Sequence, residues 1–219
     1  MMKKTFFVFN DSRRMDIHIR NYKEEDFESL IHIQRKAFPP PFPQELLWNR
    51  DQLTEHITRF PEGALCIEAD GKIAGSITAL RTNRTDQDHT WDEITSEGYI
   101  TNHEPDGDTI YIVDICVDPA FRGLGLGKEL MRAMYETVVY LGVKQLAGGS
   151  RMPGYIDYQP GMSPEEYFEK VKSGEISDPV VTFLMKSGRV PERLLPGYLE
   201  DEESADHAVL MVWKNPFLN

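Results

Sequence analysis

The sequence is short of cysteine, of basic residues and of long apolar runs, and each shortage removes a class of protein. Two cysteines in 219 residues cannot form the disulfide framework of a small secreted domain. Cys66 and Cys116 each sit in apolar, strand-like runs and read as reduced core residues. No apolar stretch approaches the roughly 20 residues of a membrane-crossing helix. Phe6-Phe7-Val8-Phe9 is too short for a signal-peptide core, and a cytoplasmic protein is expected. With 24 Lys and Arg against 36 Asp and Glu, a formal charge of -12, the chain lacks the basic stripe that nucleic-acid binding requires. Cationic partners suit it better. Repeats and low-complexity segments are missing too, and the length suits one domain with a real core.

Residues 1–15, which include Lys3, Lys4, Arg13 and Arg14, read as a loose extension, and 16–219 as a single domain. Ile17-His18-Ile19-Arg20 alternates as a first strand. Phe27, Leu30, Ile31 and Ala37 recur at helical spacing, and Pro39-Pro40-Pro41 ends that helix. A second helix is expected over 44–60, closed by Pro61. Strands at 64–69 and 73–80 flank Asp70-Gly71, a two-residue hairpin signal. A strand over 109–117 leads to a helix over 125–141, with an apolar stripe of Leu130, Met131, Met134, Val138 and Leu141 and a stop at Gly142. A strand at 145–150, helices at 164–172 and 179–186, and a strand at 207–214 complete the chain. The long segments 81–108 and 151–178 have the length of functional loops.

The most informative stretch joins the 109–117 strand to the following helix: Val117-Asp118-Pro119-Ala120-Phe121-Arg122-Gly123-Leu124-Gly125-Leu126-Gly127-Lys128. Glycine-rich backbone entering a helix offers unpaired N–H groups to an anion, and the helix dipole adds to the attraction. A phosphate or pyrophosphate is the expected ligand. A Walker loop does not fit, because Arg122 stands where its first glycine belongs and Glu129 where it needs Ser or Thr. The spacing is Gly-x-Gly-x-Gly, not the Gly-x-Gly-x-x-Gly of a dinucleotide fingerprint. Val-x-Pro-x-x-Arg-Gly-x-Gly-x-Gly after a strand resembles instead the acyl-CoA signature of the GNAT superfamily of N-acyltransferases. The runs His89-Thr90-Trp91-Asp92-Glu93-Ile94-Thr95, Gly148-Gly149-Ser150-Arg151-Met152-Pro153-Gly154 and Asn215-Pro216 further resemble GNAT domains found joined to carbon–nitrogen hydrolase (nitrilase-like) domains. Ending at Asn219, the sequence is expected to hold only the acyltransferase half.

The resemblance implies an α/β GNAT fold, a central mixed and splayed β-sheet with helices on both faces. It implies an N-acetyltransferase that moves an acetyl group from acetyl-CoA to a primary amine, on a small molecule or a peptide, by direct attack. Pantetheine would pair with the strand edge holding Ile115, Cys116 and Val117. Arg122, Gly123, Leu124, Gly125, Leu126, Gly127 and Lys128 would take the pyrophosphate, glycine being needed where a side chain would hold the backbone off the anion. The N–H near Val117 would polarise the thioester carbonyl. The rival reading is a GNAT scaffold that holds acyl-CoA as a sensor or module with little or no transfer. No metal is expected, since His89, Glu93 and His103 lack compact ligand spacing. The long insertions suit a homodimer interface.

Such chemistry needs a base for the amine and an acid for the thiolate. Asp114 lies mid-strand on the face of Ile112 and Cys116, where burial raises a carboxyl into the useful range unless a core arginine or backbone donors hold it down. Glu93 is the rival base. Many GNAT members carry a thiolate-protonating Tyr about four residues before a Gly; ahead of Gly188 that place holds Leu184. Tyr155 and Tyr158 are the substitutes. The segment 84–108, with Asp86, Asp88, Asp92, Glu93, Glu97, Glu104, Asp106 and Asp108 against Arg84, is expected either to line a pocket for a cationic acceptor, with Trp91, His89 and His103, or to be solvated.

Overall fold

Alternating apolar residues and short turns build one mixed sheet, seen in a computed structural model that describes residues 3–218. Five strands pair antiparallel in chain order: β1 (Lys3–Asn10), β2 (Arg13–Asn21), β3 (Ala64–Ala69), β4 (Lys72–Thr82) and β5 (Thr109–Val117). The helices α1 (Phe27–Ala37) and α2 (Arg50–Arg59) fall between β2 and β3, and the short α3 (Trp91–Thr95) between β4 and β5. The apolar stripe of α4 (Leu126–Tyr140) lies on β3, β4, β5 and β6 (Gln145–Ala147), while α1 lies on β4 and β5. β6 runs parallel to β5. The chain continues through β7 (Gly149–Arg151), α5 (Pro164–Ser173), α6 (Val181–Lys186), β8 (Val190–Leu195) and β9 (Ala208–Lys214). β9 is antiparallel to β6, β7 and β8. The α/β architecture is the expected one.

The N-terminus differs from expectation. From Lys3 onward the supposed loose extension is β1 and the start of β2, a hairpin in register from Lys3↔Arg20 to Asn10↔Arg13. Phe6 and Val8 pack against the core while Phe7 and Phe9 face outward. The second helix begins at Arg50, later than 44, because Asn49 caps it. The Asn49 side chain accepts from the Gln52 N–H at 2.9 Å, and the Gln52 side chain accepts from the Asn49 N–H at 3.0 Å, a reciprocal cap that fixes a helix start. β8 and α3 were not anticipated.

The sheet parts at its middle. β5 and β6 pair at three positions, Thr109↔Gln145, Ile110↔Leu146 and Tyr111↔Ala147; at Gly148 the chain leaves β5 and re-forms as β7 on β9. Two glycines allow this. A Cβ on Gly148 would sit 3.2 Å from the Ile112 oxygen and 3.3 Å from Arg189 Nη2. A Cβ on Gly149 would overlap the Tyr198 ring. The Gly149 N–H donates to the Tyr111 hydroxyl at 2.9 Å, and the Tyr111 and Tyr198 hydroxyls bond each other at 2.9 Å. Tyr198 therefore wedges the strands apart. Gly149→Ala should cost about 1–3 kcal/mol, the usual range for overpacking, read as a lower urea midpoint. Gly161→Ala, where a Cβ meets nothing within 4 Å, should leave the midpoint unchanged.

Candidate active site

Past Tyr111, β5 has β4 on one side and an open groove on the other. The Asp118 N–H donates to the Ala74 oxygen at 2.8 Å. Because alternate peptide groups of a strand point to opposite sides, the amides of Val117 and Ile115 face the groove. Asp118 also fixes the turn that follows: its side chain accepts from the Ala120 N–H at 2.9 Å and pairs with Lys36 at 3.1 Å. Gly123 and Gly125 then adopt φ of 84° and 76°, conformations that favour glycine. Gly125 is the N-cap of α4 and provides no capping side chain. The first helical bond runs from the Glu129 N–H to the Gly125 oxygen at 3.2 Å, and among the described residues no backbone carbonyl takes the amides of 123–128. A Cβ added at Gly123 or Gly125 meets nothing within 4 Å.

Unpaired donors, a helix N-terminus and empty space above them make an anion cradle. It forms one end of a groove of about 700 Å³ whose walls include Ile115, Cys116, Val117 and Phe183. Arg122, Gly123, Gly125, Leu126, Gly127 and Lys128 border it. Leu124 does not, since its side chain packs against the core.

At its far end the groove meets a second space, a cavity of about 170 Å³. Phe38, Ile115, Arg151, Val180 and Leu184 border both. Asp114 opens into this cavity. In the β4–β5 ladder Thr78 faces Asp114 and Ala79 faces Ile112, so Val113 is an extra, bulged residue. A bulge re-aims neighbouring side chains; here the freed Val113 carbonyl accepts the Trp91 indole N–H at 3.1 Å. Burial pushes the Asp114 carboxyl up to about 7, against the opposing pull of Cys116, Gln34 and the Ile115 backbone. No cation contributes, and Asp114 Oδ2 has no hydrogen-bond partner. The hydrogen-bonded groups on the β4 side of it are neutral. His56 Nε2 bonds the Gly98 carbonyl at 2.6 Å, so its Nδ1 accepts from Tyr22, which lies 3.0 Å from the Thr78 hydroxyl. Burial holds that imidazole down at about 4.

Several expected site residues are placed elsewhere. Glu93 caps α3, accepting the Thr90 N–H at 2.9 Å, and that bond lowers its pKa. It borders a separate surface cavity with Asp86, Asp88 and His89, and this cavity shares no residue with the groove or the Asp114 cavity. The acidic segment therefore does not line the space beside Asp114; Trp91 alone from 84–108 reaches it. Asp88 pairs with Arg193 at 2.5 Å and Asp108 with Lys144 at 2.9 Å. His103 Nδ1 accepts the Arg81 N–H at 3.0 Å, while His89 Nε2 bonds Tyr111 at 2.9 Å. The Tyr155 hydroxyl donates to the Met162 carbonyl at 2.7 Å, and Tyr158 packs against Tyr167; neither borders the groove. Leu184, 3% exposed, stands where groove and cavity join and carries no proton to give.

Among the residues of the cavity that escape sequence reasoning are Gln34, Trp48, Arg189 and Tyr198. Gln34 and Trp48 are tied together, the Trp48 N–H donating to Gln34 Oε1 at 2.5 Å. Gln34, a polar residue between Ile33 and Arg35, is buried among the apolar positions of α1. That interruption of the stripe is the one local signal available.

Comparison with known proteins agrees with this geometry. The acetyltransferase (GNAT) family matches residues 27–147. An uncharacterized N-acetyltransferase of Bacillus subtilis (strain 168), YkwB, is 50% identical over 216 residues, 98% of this chain and 96% of that protein. A probable hydrolase of the same organism, YhcX, is 38% identical over 200 residues, 90% of this chain but 38% of that protein. The crystal structure of the loading GNATL domain of CurA from Lyngbya majuscula superposes with a TM-score of 0.78 at 25% identity, covering 91% of this chain and 98% of that domain. This chain belongs to the acetyltransferase (GNAT) family, whose members are acyl-transferring enzymes.

Proposed function

We propose that the chain transfers an acetyl group from acetyl-CoA to a primary amine, of a small molecule or a peptide, by direct attack. One observation carries the reading: the unpaired amides of 123–128 and the free edge of β5 belong to a single groove that meets, at its far end, the cavity holding the half-buried Asp114. Arg122 and the loop amides would hold the pyrophosphate, and the edge amides of Ile115 and Val117 would pair with pantetheine. One of these, aimed at the thioester oxygen, would stabilise the charge that gathers there, a contribution of about 3 kcal/mol per donor in studied enzymes. Asp114 would take the ammonium proton. That first proton would pass to solvent; with a pKa of about 7, between a carboxylate's and a thiol's, Asp114 is also suited to take the second proton, lost from nitrogen as the amide forms, and give it to the thiolate. The likeness to YhcX supports kinship with GNAT domains joined to carbon–nitrogen hydrolases.

A second reading, a module that holds acyl-CoA without efficient transfer, is favoured by Leu184 at the junction. Thiol release with a panel of amines separates the two, because a module binds and releases nothing.

Titration calorimetry should show CoA binding to the wild-type chain. Gly125→Trp, which fills the cradle, should abolish it, and Arg122→Ala should weaken it several-fold. Activity should rise as pH passes about 7, where Asp114 loses its proton. Asp114→Asn should lower kcat by about 10²- to 10⁴-fold and flatten that rise while leaving CoA binding intact. Stability gives an independent readout. The folded pKa of Asp114 lies above its ordinary 3.8, so the folded state binds this proton more tightly than the unfolded chain does. Asp114 therefore costs stability increasingly as pH climbs from about 4 to about 7, and Asp114→Asn should stabilise the protein more at pH 8 than at pH 4.

A further inference from the structure

Two half-buried arginines of this chain keep carboxylates close, and a more deeply buried one does not. Arg20, its side chain 26% exposed, bonds Asp26 at 2.6 Å and Glu68 at 2.5 Å. Arg151, 17% exposed, bonds Asp201 at 2.6 Å and Glu203 at 2.7 Å. Arg189 is more deeply buried than either, at 4%, and among the described residues it has no ion pair. Its Nη2 donates to the carbonyl oxygens of Met211 and Gly148, and its Nε has no partner. The ionisable groups around it are the phenols of Tyr135, Tyr111 and Tyr198, all of which burial keeps protonated. Burial lowers the guanidinium only to about 10, so it is charged at neutral pH. A buried cation without a counter-ion is costly, and a bound anion removes the cost.

Arg189 borders the Asp114 cavity, next to Gly148 at the closed end of the strand parting. A second donor without a partner, Trp48 Nε1, belongs to another residue of the same cavity. The walls between are apolar, from Phe38, Phe42, Trp91 and Leu184. Asp114 does not neutralise Arg189, since no cation acts on its carboxyl. We infer that the cavity binds a carboxylate of the substrate, held by the Arg189 guanidinium and supplemented by the Trp48 indole N–H. A guanidinium matches a planar carboxylate better than any other side chain does. The inference rests on the groove being the CoA site. The carboxylate has two sources, an acyl chain that ends in one or an amino-acid acceptor.

Two pairs of compounds test this on the full chain. Calorimetry with succinyl-CoA and butyryl-CoA, acyl chains of equal length that differ in the terminal carboxylate, reads the first source. Acetyl transfer to alanine and to alanine amide, with kcat/KM referred to the unprotonated amine, reads the second. At least one pair should favour the carboxylate by about tenfold or more, as for a charge-assisted bond. Arg189→Met should erase that preference; the ratio within each pair is the readout, so a general change in CoA affinity does not mimic the loss. Arg189→Lys should keep part of the preference. Lack of preference in both pairs with the wild-type chain overturns the proposal, and needs no variant to fold. A preference that survives Arg189→Met overturns it too. CoA binding without carboxylate discrimination defeats this inference alone, whereas failure to bind CoA defeats the groove reading and this inference together.

Discussion

Strand β5 loses its parallel neighbour after Tyr111, and the edge this exposes is what the groove is made of. A strand edge inside a domain is ordinarily paired or covered, because unpaired peptide groups away from water are costly. Here the parting is built in. Tyr198 stands against Gly149, the Tyr111 hydroxyl accepts the Gly149 N–H, and Arg189 donates to the carbonyl oxygens of Gly148 and Met211. A side chain at 149 would overlap the Tyr198 ring, and one at 148 would press on the Ile112 oxygen. The same parting sets the loop of 122–128 at one end of the groove and Asp114 at the other.

Two carboxylates on neighbouring elements show how environment, not residue type, assigns roles. Glu93 lies at the start of α3 and accepts the Thr90 N–H, so it is held ionised and spent on the helix. Asp114 lies beside a bulge with neutral hydrogen-bonded groups on its β4 side and is pushed the other way by burial. The buried Thr78–Tyr22–His56–Gly98 chain beneath it keeps its polar groups satisfied without adding charge. A cation in that place would pull Asp114 back to an ordinary carboxylate range.

Much of the fold was legible because periodicity and turn chemistry are local. The 64–69 and 109–117 strands were read to the residue, and the 125–141 helix to within one residue at each end. β1 was missed because Lys3, Lys4 and the exposed Phe7 and Phe9 hide the inward pair Phe6 and Val8. β8 was missed because Pro191 and Arg193 interrupt a strand that bulges between Pro191 and Arg193 in its pairing with β9. The glycine loop of 122–128 was readable as a turn into a helix since its glycines act through backbone in one continuous run. Glu93 and Tyr155 were misplaced for the opposite reason. What a side chain does is decided by partners such as the Thr90 N–H and the Met162 carbonyl, which spacing cannot show. Arg189 had no signal at all, being distinguished only by carboxylates that are not there.

Amide hydrogen exchange with and without CoA tests the central claim most directly. In the free protein the amides of 123–128, and that of Val117 on the open edge, lack strand or helix acceptors and should exchange quickly. Adding CoA should slow both groups together, leaving the amides of the β1–β2 hairpin unchanged. If CoA binds while these amides keep their rates, or protection appears around the cavity of Asp86, Asp88 and Glu93 instead, the carrier does not lie in the parting of the sheet and the account is wrong.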